Sequence, residues 1–218
     1  AKLQKNSDGA AGQGFLRLLA LAGLEMTQRL IRRAFDRRSE WLALSGDATQ
    51  IAGQVIAALQ SELGAGEPGE ALAGFFAGDW AADFHAYLGF LEMSSLATDQ
   101  AAAASLRAVL AKVERAGHCG LFQNDESLVL IFEDLRAILL TKENALRSKK
   151  PSAALDKRFT PSGAERFLGL HASLGGRVIE CIERQTAERI LAFNRDACVV
   201  FAEFLAHVEA FKQARRQI

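Results

Sequence analysis

Apolar side chains recur at steps of three or four along most of this chain. That spacing keeps them on one side of a helix that turns once every 3.6 residues. The longest run lies toward the C-terminal end, from Arg177 to Arg215. There Ile179, Ile182, Thr186, Ile190, Phe193, Ala197, Val200, Phe204, Val208 and Phe211 repeat with no glycine or proline between them. Around Cys198–Leu205 the apolar character spreads nearly all the way round, so the middle of this helix needs neighbours on every side. On its polar side Glu180 with Arg184, and Arg184 with Glu188, sit four apart, where opposite charges support a helix.

The preceding chain divides into shorter elements. Residues 1–13 are polar and glycine-rich and read as a flexible arm. A helix is expected from Phe15 to about Leu44, with Leu16, Leu19, Leu24, Leu30, Ile31, Ala34 and Phe35 as its buried stripe, broken at Ser45-Gly46-Asp47. Asp47 suits the N-cap of a second helix carrying Ile51, Val55, Ile56, Leu59 and Leu63, which Gly64-Ala65-Gly66 ends. After a turn at Glu67-Pro68-Gly69 come a short helix over Glu70–Ala77 and another over Trp80–Met93, with Gly78-Asp79 between them. Thr98 or Asp99 is expected to cap a helix through Arg115, ended by Gly117. Its Ala101–Ala104 run favours helix and allows close approach of a neighbour. A further helix begins at Asn124 or Asp125 and is expected to run to about Arg147. Ser148–Ser152 is the clearest loop, and polar character persists to Phe159. Thr160-Pro161 then opens a helix that Gly175-Gly176 is expected to bend or to part from the C-terminal one.

The pattern predicts an all-α protein: a bundle of six to eight helices packed around a long C-terminal helix. It reads as one helical domain over 14–218, with a subdivision at 148–160. One internal echo suggests two related halves. Phe15-Leu16-x-Leu18-x-Ala20-x-x-Gly23 matches Phe167-Leu168-x-Leu170-x-Ala172-x-x-Gly175, and Arg32 and Arg37 match Arg184 and Arg189 at the same offset.

Composition sharpens this little. Of 218 residues, 50% are hydrophobic and 24% charged, which places the chain among globular rather than disordered proteins. Lys plus Arg equals Asp plus Glu at 26 each, so net charge does not point to a polyanionic partner. Three cysteines without framework spacing (Cys119, Cys181 and Cys198) suggest a reducing, cytoplasmic setting. No apolar run reaches the roughly 20 residues of a membrane span. Phe15–Leu24 has the length of a signal-peptide core but lacks its flanks, and reads as a core helix. The chain opens on Ala1 rather than Met, which leaves room for a removed targeting segment.

Candidate chemistry is sparse. No two of His85, His118, His171 and His207 are three or four apart, so no metal site is expected. There is no Gly-x-Ser-x-Gly elbow, P-loop or dinucleotide fingerprint, and no catalytic residue is assigned. The aromatic run Trp80, Phe84, Tyr87 and Phe90, with His85 and His171, would line a pocket for an apolar ligand or a haem-like planar cofactor. Simple core packing explains the same residues. Arg29, Arg32, Arg33 and Arg37 form a positive strip suited to phosphate, nucleic acid or anionic lipid. Asp36, Glu40 and Glu25 neutralise part of it, and a solvated face is the plainer account. Phe204, Leu205 and Phe211 are candidate interface anchors, because the C-terminal stripe approaches coiled-coil spacing.

In composition, though not in motif, the Ala/Leu-rich helices with Gln/Glu/Arg faces resemble phasin-type granule-coating proteins. That likeness carries no residue roles. The leading expectation is a non-enzymatic helical scaffold that binds a protein partner or its own copy. A small-molecule sensor is the second reading, and nucleic-acid or anionic-membrane binding the third.

Overall fold

A computed structural model describes residues 9–45, 48–77, 80–118, 125–153, 155 and 163–216. Among them the chain is all-α, with eight helices: α1 (Ala10–Asp36), α2 (Arg38–Ser45), α3 (Ala48–Leu63), α4 (Glu70–Ala77), α5 (Trp80–Met93), α6 (Ala97–His118), α7 (Asp125–Leu139) and α8 (Gly163–Arg216). Asp47, Gly78-Asp79, Cys119, Asn124, Lys157, Arg158 and Thr160-Pro161 lie outside the described residues.

Several boundaries differ from the sequence expectation, and the one helix expected from Phe15 to about Leu44 is divided at Arg37 into α1 and α2. Helix α1 begins at Ala10, so residues 10–13 belong to a helix rather than to an arm. Gly23 interrupts it at φ 76°, ψ 167°, a conformation that side-chain-bearing residues rarely adopt. Its carbonyl accepts a hydrogen bond from Thr27 Oγ1 at 2.8 Å, which satisfies part of the broken ladder. Helix α6 continues to His118, past Gly117. Helix α7 stops at Leu139 instead of Arg147, because Leu140 and Leu146 pair across a tight turn. Asn144 holds that turn in the left-handed region at φ 62°, and its Oδ1 accepts from Arg136 Nε at 2.8 Å. Finally, Gly175-Gly176 neither bends nor ends its helix: α8 is continuous over 54 residues. A Cβ at Gly175 would overlap Leu146 Cδ1, so glycine here makes room for the turn after α7. The two segments of the internal echo therefore differ, one glycine breaking a helix and its counterpart lying inside one.

The chain forms two compact units. The first contains residues 1–68 and 186–218, hence α1–α3 and the later part of α8. Leu18, Ala197 and Val200 form one small cluster with Phe15, Ile31, Phe193 and Phe201 around it. Ala52, Cys198, Ala202 and Leu205 form another, against Trp41, Val55 and Ile56. Two forked ion pairs hold loops and helices to α8. Arg17 reaches both oxygens of Asp196 at 2.8 and 2.5 Å, and Arg195 both oxygens of Glu67 at 2.7 and 2.9 Å.

The second unit, residues 69–185, carries one large contiguous core built from α4–α7 and the early part of α8. Aromatic rings dominate one side of it: Phe75, Phe76, Trp80, Phe84 and Phe132 pack at centroid distances of 5.1–6.2 Å, mostly edge to face. Helix α5 ends under the side chain of Gln100, whose amide donates to the carbonyls of Glu92 and Ser94 at 3.1 and 2.6 Å. Nearby, the buried carboxylate of Asp99 accepts from Ser94 Oγ and from Lys149 Nζ, each at 2.6 Å. Lys149 thus ties the segment after α7 to the first turn of α6, and only 10% of its side chain is exposed.

Candidate functional site

A groove in the first unit gathers residues from two separate sequence candidates. Its lining is Glu25, Gln28, Arg29, Ile31, Arg32, Phe35 and Phe204, and its volume is about 680 Å³. Helix α1 supplies all of these but Phe204. Ile31 faces inward to the small core, while Phe35, one turn on, meets Phe204 of α8 edge to face at 5.8 Å and 73°. Arg38 closes over the Phe35 ring at 4.3 Å and donates to the Phe35 carbonyl at 3.0 Å. The result is an aromatic wall with its charge along one rim.

The arginines of that rim are not equivalent. Arg29 is bonded to Glu25 at 2.5 Å, one turn before it. Arg37 has Glu40 at 3.9 Å. Arg32 and Arg33 are exposed and have no acidic partner among the described residues. From Glu25 to Arg38 the chain carries five arginines against Glu25 and Asp36, a net charge of +3 within a neutral protein. Phe35, Ile31 and Gln28 were absent from the sequence candidates. Phe35 read only as part of a buried stripe, and no local signal told that it would border a groove.

The remaining candidates fall elsewhere. Leu205 is 2% exposed and belongs to the core beside Cys198 and Ala202, so it is not available as an interface anchor. Phe211 is exposed, with the Arg215 guanidinium 4.9 Å from its ring centroid. Trp80, Phe84, Tyr87 and Phe90 are all buried, and their rings pack on one another and on Phe167 rather than around a cavity. His85 points away from them, exposed, with Nε2 3.7 Å from Glu114.

His171 does join the aromatic group. Its ring stacks on Tyr87, and its Nε2 lies 2.7 Å from the Arg147 carbonyl oxygen. A carbonyl only accepts, so Nε2 carries the proton, and Nδ1 accepts from the Tyr87 hydroxyl at 2.9 Å. Burial lowers the imidazole below its ordinary range, against an opposing pull from the Arg147 carbonyl. Burial likewise pushes the Tyr87 phenol well above its ordinary range, with Asp99 adding to it. Both groups are thereby held neutral in a structural linkage between α5 and α8. Burial also raises the Cys198 thiol, which disfavours the reactive thiolate.

A second groove, of about 940 Å³, lies in the other unit between α6, α7 and the segment after α7. Ala101, Ala102, Ala108 and Ala137 are among its lining residues, together with Arg147 and Lys150. Its other charges are already matched: Lys149 with Asp99, and Asp134 with Lys112 at 2.7 Å. Among the described residues no three His, Cys, Asp or Glu side chains come together as metal ligands, and no helix is long and apolar enough to cross a membrane.

No protein-family model, curated protein or solved structure matches this chain. Its own fold and groove define its class: an all-α protein with an aromatic, arginine-rimmed groove.

Proposed function

We propose that this chain is a helical interaction protein, and that the groove of its first unit binds an acidic, amphipathic helix of a protein partner. The observation that carries this reading is Arg32, a guanidinium without an acidic partner among the described residues, set beside the aromatic pair Phe35 and Phe204. An apolar side chain of the partner fills the space against the two rings, and a carboxylate one turn away meets the arginine. Arginine and aromatic residues are the side chains that most often dominate binding energy at protein interfaces. A guanidinium also suits a carboxylate because its planar fork donates two parallel hydrogen bonds. Leu21, Leu24 and Met26 of α1 are exposed as well, Leu24 against its expected place in the buried stripe.

Fluorescence anisotropy tests this directly. The probe is a labelled helical peptide with leucines at i, i+3 and i+7 flanked by glutamates, compared with the same peptide carrying lysines. The glutamate peptide binds, its affinity falls as salt rises, and Arg32→Glu weakens it by about tenfold or more. Phe204→Ser weakens it as well, while the lysine peptide does not bind. Vesicles containing phosphatidylserine form the third arm. Binding to vesicles without binding to the glutamate peptide would assign the surface to anionic membrane and defeat the proposal.

A further inference from the structure

The groove of the second unit combines an apolar floor with a basic end. Ala101, Ala102 and Ala108 of α6 and Ala137 of α7 line it, with Val109 and Ile138 beside them. Side chains this small leave open the space that larger residues on paired helices fill, and the groove reaches about 940 Å³. At the helical rise, the floor from Ala101 to Ala108 extends about 10 Å along α6. Residues 147–150 close one end. The Arg147 N–H donates to the Leu139 carbonyl at the end of α7 at 2.9 Å, and Lys149 Nζ reaches Asp99 in the first turn of α6 at 2.6 Å. His171 Nε2 holds the Arg147 carbonyl from α8 at 2.7 Å. This end wall is therefore fixed from three helices before any ligand arrives. Two of its cations remain unmatched. Arg147 donates its Nε–H to the Ala137 carbonyl at 3.1 Å, and neither Arg147 nor Lys150 has an acidic partner among the described residues.

We infer that this groove binds a small amphiphile, a single alkyl chain that ends in a carboxylate. The chain lies along the alanine floor, and the carboxylate meets Arg147 and Lys150. Clefts of roughly 300–1,000 Å³, mainly apolar with a few placed polar groups, are the usual form of small-molecule sites. Burial of the chain supplies most of the affinity, because it removes apolar area from water. The two cations choose the sign of the head group, since charge pairs near the surface are weak by themselves. A carboxylate suits the donors that Arg147 has left, because a guanidinium edge offers two parallel hydrogen bonds. All of these residues belong to the second unit, so the inference is independent of the function proposed for the first.

Isothermal titration calorimetry of the full chain tests this, with decanoate as the probe. Decanoate binds saturably, one molecule per chain, while acetate, the head without the chain, does not bind. Decyltrimethylammonium, the same chain with the opposite charge, binds at least about tenfold more weakly. Arg147→Gln/Lys150→Gln weakens decanoate by about fivefold or more and flattens its salt dependence. Ser105 lines the groove and is exposed, so Ser105→Phe sets a ring in the path of the chain and abolishes binding. Ala73→Phe, at an exposed alanine of α4 outside the groove, leaves the affinity at its wild-type value. Urea unfolding checks that each variant is folded, and Ala101→Phe, also an exposed groove position, replaces Ser105→Phe if that variant is not. An absence of saturable binding, equal binding of the cation, or an affinity unmoved by the Gln pair or by the Phe substitution in the groove overturns the inference. So does loss of decanoate binding in Arg32→Glu, which would place the chain in the groove of the first unit.

Discussion

Gly23 and His171 show how much a single residue decides here. At φ 76° and ψ 167°, Gly23 occupies backbone space that an alanine enters only under strain. Gly23→Ala is expected to lower stability by about 1–3 kcal/mol, despite the better helix propensity of alanine. Urea titration of the two proteins measures it. For His171 the linkage sign follows from the lowered folded-state value. The unfolded chain takes up the proton first as pH falls, so the stability contributed by the neutral ring is complete above the ordinary value of 6.5 and is lost progressively below it. Denaturation at pH 7.5 and 5.5 should therefore show a loss of stability on acidification, and His171→Gln should reduce that loss. Lys149, which disfavours the imidazolium, and Asp99, which favours it, are the charges that act on this ring. Neither residue's role is visible in a local window. A glycine in an alanine- and leucine-rich helix reads as tolerated, and a histidine on an apolar stripe reads equally as ligand or core.

At the scale of elements, periodicity placed α3, α4, α5 and the C-terminal helix, because burial of one stripe is written into spacing. Among the stops it misjudged, the end of α7 is set by a contact, the pairing of Leu140 with Leu146, rather than by a cap. The segment after α7 is the clearest case: Ser148–Ser152 reads as a loop, yet Lys149 within it is buried against Asp99 of α6, whose carboxylate also accepts from Ser94 just before that helix. Removing one partner of such a pair strands a charge, so Lys149→Met is expected to destabilise by about 3–5 kcal/mol. The double change Asp99→Leu/Lys149→Met should recover much of that, because no charge is left buried. Guanidinium unfolding of the wild type, the single variant and the double variant provides the comparison.

For the molecule as a whole, the two units differ in how much apolar surface they enclose. Among the described residues the second has one continuous core running from Ala71 to Cys181, and the first has two small clusters. Amide exchange should accordingly reveal lower opening energies for α1–α3 than for α5–α7, since local stability follows the density of buried apolar contacts. Comparable protection in both sets would show that the small clusters are supported by something beyond the chain's own core. The groove proposed to bind a partner lies on the first unit, consistent with function drawn from the low-stability end of a fold.

The order of helices and their mainly amphipathic character are consequences of the sequence alone, because side chains three or four apart share a face whatever surrounds them; that the last helix runs unbroken through Gly175-Gly176 is not. Tertiary structure alone decided that the aromatic run of α5 packs solidly, that Leu205 is core, and that Arg32 and Phe204 border one groove. Those outcomes depend on pairs of residues distant in the chain, and helical periodicity says which side is buried but not what it is buried against.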